Sequence, residues 1–188
     1  MTNFDYLKKE PKFHSFSESA VVAETLYHID AASCVLAVRR TAEFAIKWMF
    51  TADSDLTMPY QDKFVSLIND MEFKSIIGND MFRRLEFIRV AGNNAAHNSR
   101  TVNSEQAELA LENLFYFLDL VAYFYAEDYE EQTWNPELLK ANTDTVKSEV
   151  PDVDVEKLKQ ENAALKAQLT TQRMEKAQTY VEKPLDIS

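Results

Sequence analysis

The sequence predicts an all-α protein: an antiparallel bundle of four to five helices, then an acidic linker and a coiled-coil-like helix. Three observations carry this. Glycine occurs only twice in 188 residues, at Gly78 and Gly92, against a usual share of about 7%. Hairpin turns lean on glycine, so a β-rich fold is disfavoured. Neither a dinucleotide-binding turn nor a Walker phosphate loop finds the Cβ-free residues it needs. Apolar residues recur at helical spacing through several segments, with no alternating strand pattern and no internal repeat beside them. A hydrophobic share of 46% is enough for a sizeable core.

Residues 1–12 show no period and end at Pro11 and Lys12. Ser15 stands three before Glu18, a capping-box spacing in which each side chain satisfies the other's backbone N–H, and predicts a helix over about 16–28. Asp30 caps a second helix running to about Phe50. Its stripe is Val35, Val38, Ala42, Ala45, Ile46 and Met49, with Arg39 and Glu43 spaced to pair on its flank. The stretch TADSDLTMPY reads as a loop. One or two short helices follow to about Ile77, with Phe64, Leu67, Ile68 and Met71 on one side. Gly78-Asn79-Asp80 breaks them, and Asp80 opens a helix through Met81, Leu85, Ile88 and Arg89 that Gly92 closes as a left-handed cap. NNAAHNSRTVN reads as an irregular polar segment. Asn103, three before Gln106, makes a second capping box. The helix from Ser104 to about Tyr125 presents Leu111, Leu114, Phe115, Leu118, Val121 and Ala122. Apolar almost all round, it reads as the centre of a bundle occupying residues 1–126.

Composition changes after that. Residues 127–156 carry a net charge of −8, against −5 for residues 1–126 and +2 for residues 157–188, and the acidic excess is concentrated in residues 127–152. Pro136 and Pro151 interrupt them, so they read as an acidic linker. Little in them reads as material to bury; Trp134 is the exception, either a clamp onto the bundle or a contact site. Over 153–180, Val155, Asn162 and Leu169 fall at heptad position a, with Leu158, Leu165 and Gln172 at d. Glu161 and Lys166 take g and e positions where opposite charges pair. Such a seam suits a dimeric coiled coil whose register Asn162 fixes; a solitary amphipathic helix joining two domains fits the pattern equally. Residues 181–188 read as the start of a connection to a further domain.

The net charge of −11 repels phosphate backbones, so direct nucleic-acid binding is not expected. Cys34 is the only cysteine, which excludes an intrachain disulfide and a multi-cysteine zinc site; in an apolar helical pattern it reads as a small buried hydrophobe. No secretory leader opens the chain and no apolar run approaches 18 residues, so a cytoplasmic location without membrane contact is expected. His14, His28 and His97 form no H-x-x-x-H pair and join no local carboxylate motif, so neither a metal nor another cofactor is expected in this chain.

One segment has the residue types for chemistry: Arg89, Asn93, Asn94 and His97 around Gly92. Arginine holds phosphate and histidine titrates near neutrality, so the pair has the means to bind a phosphodiester and move its proton. The structural alternative is that asparagines fill turn positions while Arg89 complements a helix C-terminus.

The motif IRVAGNNAAH, followed by ALENLFYFLDLVAYFY, resembles the HEPN-like helical domains. FDYLKKEPKF, RRTAEFAIKWMF and TYVEKPLDIS make almost the whole chain similar to the N-terminal region of bacterial type I restriction enzyme R subunits. That resemblance implies a non-catalytic interaction module ahead of a PD-(D/E)xK nuclease and two helicase lobes. ATP and Mg²⁺ would serve only those downstream domains. The implied partners are the methylation and specificity subunits, or the chain's own downstream domains; the coiled segment adds a homodimer or scaffold. The HEPN resemblance also implies a metal-independent ribonuclease, with Arg89 stabilising phosphate, His97 as acid or base and Asn93 beside them. This chain departs from the Arg-x₄₋₆-His spacing by having seven residues between Arg89 and His97, and by Val90 where a polar residue is usual.

Overall fold

The computed structural model describes residues 1–97 and 102–141. All regular structure among them is helical. Two 3₁₀ turns, Asp5–Lys9 and Pro11–Phe13, lead into α1 (His14–Leu26) and α2 (Ala31–Ala52). The short α3 (Phe64–Ile68) precedes α4 (Met71–His97), α5 (Ser104–Tyr125) and the single turn α6 (Glu137–Ala141). The chain divides into two units, 1–147 and 148–188. The second lies outside the described residues, and with it the heptad seam Val155, Leu158, Asn162, Leu165 and Leu169 and the connecting segment 181–188.

α2 is the element against which the other long helices pack, touching α1, α4 and α5. Asp30 starts it, its carboxylate accepting the Ser33 N–H at 2.7 Å. The whole expected stripe from Val35 to Met49 is buried. Cys34 is buried beside it. Burial pushes its thiol up to about 12, with help from the charges of Glu24 and Asp30, so it stays protonated and unreactive.

The expected bounds of α5 hold, and so does its capping box: Asn103 Oδ1 accepts from the Gln106 N–H at 2.8 Å and Gln106 Oε1 from the Asn103 N–H at 3.2 Å. Its apolar girth has a cause other than a central position. One side meets α2 and α4. Another is covered by the N-terminal turns and the chain after α5: Phe4, Tyr6 and Trp134 all stand within 6.1 Å of the Phe115 ring, centroid to centroid.

Four expectations are corrected. α1 begins at His14 without a side-chain cap, so Ser15 and Glu18 form no capping box. Met71 is exposed at the first position of α4, where Asp70 caps by accepting the Phe73 N–H at 3.0 Å. Gly92 does not end a helix: α4 continues through the supposed polar turn to His97, with Gly92 buried. Finally, the first half of the linker belongs to the bundle. Leu139 is 2% exposed in the core, and Tyr129 and Trp134 pack against it; the remainder of 127–152 falls outside the described residues. Trp134 acts as the clamp.

The break at Gly78 is present inside α4. There φ is 77° and ψ 169°, a conformation open to glycine and closed to residues with a Cβ.

The aperiodic N-terminus is also ordered. Phe4, Leu7 and Phe13 are buried. The Asn3 N–H donates to both Glu24 oxygens, at 2.9 and 3.2 Å. The Asn3 side chain pairs twice with the Asn135 backbone: its Nδ2 donates to the carbonyl at 3.2 Å, and its Oδ1 accepts the N–H at 2.9 Å. Glu24 is buried, and burial outweighs these bonds, raising its carboxyl to about 6.

Candidate functional site

The Arg89–His97 segment is one face of a continuous helix. At 100° per residue, positions 89, 93 and 97 drift by only about 40° per step, so they share a side of α4. A rise of 1.5 Å per residue places the Arg89 and His97 backbones about 12 Å apart along that side. Arg89 turns away from His97. Its Nε donates to Glu86 Oε2 at 2.8 Å and its Nη2 to Oε1 at 2.6 Å, a two-point pair one turn toward the helix start. That pair raises the guanidinium further and holds Glu86 below the usual carboxylate range. The carboxylate takes the fork an incoming phosphate would use, and sets a negative charge beside it.

Asn93 is engaged too. Its Oδ1 accepts a short hydrogen bond from Arg39 Nη1, and the Arg39 guanidinium lies 6.0 Å from the Phe64 ring centroid. Arg39 reaches Asn93 by crossing Gly92. A Cβ built there would stand 2.4 Å from Arg39 Cδ and 2.8 Å from its Cβ. Gly92 is therefore glycine for space: it lets α2 lay an arginine across α4. The expected Arg39–Glu43 pair does not form, because Glu43 accepts from Lys47 at 3.0 Å instead.

Arg84 repeats the arrangement one helix over. It donates to the Oδ1 of buried Asn113 at 2.7 Å and covers the Tyr116 ring at 4.4 Å. In both cases an arginine of one helix bonds an asparagine carbonyl of another, and no carboxylate is needed to satisfy it. Periodicity does not reveal these pairs. An Asn inside an apolar run, as at Asn113, is the one trace in the sequence, and it marks the second pair alone.

His97 is exposed at the end of α4. Within one protomer, then, the structure does not bring Arg89, Asn93 and His97 onto a common reacting atom. His14 stands 3.6 Å from Glu18 on the surface, and His28 packs edge-on to Tyr27. Among the described residues no three metal-ligating side chains converge, and no helix is long and apolar enough to cross a membrane.

A cavity of about 290 Å³ lies between the N-terminal turns and residues 126–132, walled by Tyr6, Phe13, Ala122 and Tyr129. Behind it the Tyr129 hydroxyl donates to Asp119 at 3.0 Å, while the Tyr6 hydroxyl and the other Asp119 oxygen are buried without a partner among the described residues. A larger trough of about 640 Å³ runs between α1 and α2.

A helical bundle whose polar clusters tie helix to helix belongs to the class of α-helical modules. More narrowly, residues 22–151 match the family model described as a domain of unknown function, DUF4145, and the chain belongs to that family. No curated protein and no solved structure matches it.

Proposed function

We propose that the bundle is a non-catalytic interaction module, the N-terminal region of a type I restriction enzyme R subunit. The observation that supports it is the occupation of the one chemistry-bearing segment. Arg89 is spent on Glu86 and Asn93 on Arg39, so the residues that suggest phosphate chemistry serve helix packing. The restriction assignment rests on the resemblance of the opening, the RRTAEFAIKWMF stretch and the final residues. In this reading the module docks onto the methylation and specificity subunits or onto downstream motor domains, and ATP and Mg²⁺ act only there. The intended location is the cytoplasm.

A ribonuclease assembled across two copies is the second reading, favoured by the exposure of His97 on the same side of α4 as Arg89. One experiment separates the two. Residues 1–188 are mixed with purified methylation and specificity subunits and passed over a sizing column, and in parallel incubated with single-stranded RNA and a chelator. Co-elution with intact RNA is expected. No co-elution, together with RNA cutting that His97→Ala abolishes, overturns the module in favour of the nuclease.

A further inference from the structure

Along the outside of α1 and α2 the bundle leaves apolar side chains in water. Val22 is 54% exposed, Leu36 39% and Phe44 36%. Leu36, Arg40 and Phe44 follow one another at i, i+4 and i+8, so they form one stripe on α2. With Val22 and Leu26 of α1 they line the trough of about 640 Å³. It continues past Phe44 into a second hollow against Trp48. Over Ser33–Thr51 its length is about 27 Å at helical rise, enough to seat a helix of five turns.

The charges in the trough are few and unmatched. Arg40 holds its guanidinium 5.3 Å from the Phe44 ring centroid. Among the described residues no carboxylate stands within ion-pair distance of it. Glu18, on the α1 side of the same trough, meets only the exposed His14 at 3.6 Å. α1 and α2 are antiparallel neighbours joined at residues 27–30, so residues 18 and 40 lie level with each other across the trough. A two-fold axis along the trough lays α2 of one copy over α1 of the other. It sets Arg40 opposite Glu18 of the second copy twice, side by side at one level. Leu36 and Val22 lie one turn along the trough in one direction and Phe44 one turn along it in the other. A face carrying both a cation and an anion at one level is self-complementary in a way that a single-sign face is not.

We propose that the α1–α2 trough is a self-association surface whose occupant is the same face of a second copy, closed by reciprocal Arg40–Glu18 pairs. This goes beyond the docking role above and does not rest on it. The test is sedimentation equilibrium of the complete 188-residue chain between about 1 and about 100 µM, the range in which modest interfaces assemble. A dimer is expected. Arg40→Glu and Glu18→Arg each place like charges opposite one another twice, and each should weaken the dimer by about tenfold or more. Both positions are exposed, and unchanged helical circular dichroism verifies that the variants fold. An equimolar mixture of the two variants should dimerise as tightly as the unsubstituted chain, because each supplies the charge the other has lost. A monomer throughout, a dimer indifferent to both substitutions (as one made by residues 153–180 would be), or a mixture no tighter than the single variants overturns the proposal.

Discussion

Arg39 and Arg40 are consecutive residues of α2 with opposite surroundings. Arg39 is laid over Gly92, bonded to Asn93 and set beside Phe64. Arg40, 100° further round the helix, lies against a single ring at the surface. α1 shows the same contrast between Glu24, buried and bonded to Asn3, and Glu18 on the trough. Arg39 and Glu24, which face inward, are matched by neighbours in the same chain. On the α1–α2 face Arg40 has no carboxylate within ion-pair distance among the described residues, and Glu18 meets the exposed His14. The difference distinguishes polar groups that make the fold from those available to something else.

The contrast is broken most severely at Gly92. Gly92→Val puts a branched side chain where Arg39 crosses α4. The clash involves Arg39 Cβ as well as its flexible end, so the helices must part. A loss of about 3 kcal/mol is expected in urea unfolding, outweighing the roughly 0.4 kcal/mol gained in helix propensity. Asn93→Leu keeps the space and removes the acceptor. It should cost about 2 kcal/mol by the same measurement, the usual loss when a hydrogen bond to a charged group is broken.

Glu24 tests the inward side through pH. Its carboxyl is raised to about 6 from 4.5, so the folded state binds the proton more tightly than the unfolded one. The stabilisation from this site is therefore fully present below about pH 4.5 and is lost as pH rises through about 6. Glu24→Gln keeps an acceptor for the Asn3 N–H without the charge. It should stabilise the protein by about 1–2 kcal/mol at pH 8 and change little at pH 4.5, read as the difference between the two melting profiles. The smallest effect belongs to the outward side. Arg40→Ala should alter monomer stability by no more than about 0.5 kcal/mol in dilute urea titrations. A larger loss there would erase the distinction.

Periodicity and capping made α2 and α5 legible: Asp30, Asn103 and Gln106 act locally, and a stripe every three to four residues needs no tertiary information. The misreadings arose where tertiary contact overrode local habit. Gly92 has the look of a terminator because glycine usually ends helices; its cause is a side chain 53 positions earlier in the sequence. Phe4, Leu7 and Phe13 have no helical period, since 3₁₀ turns bury residues at other spacings. Leu138 and Leu139 are a short apolar pair in an acidic stretch, and the Asn3–Asn135 pairing, with Trp134 against Phe115, explains why that stretch returns to the bundle. At the candidate site the occupation of Arg89 by Glu86 and of Asn93 by Arg39 is a matter of rotamer and neighbour that spacing does not encode.

The Asn3–Asn135 pairing joins residues 132 positions apart, and that separation has a kinetic consequence. Helices form in microseconds from local contacts, whereas closing so long a loop carries an entropic cost that early structure does not repay. The latch is therefore expected to form after the transition state for folding, and contacts of that kind govern how fast a protein opens rather than how fast it folds. Asn3→Ala should leave refolding rates almost unchanged while unfolding accelerates, so the lifetime of the folded bundle is set at its seam, far from the helices that build it.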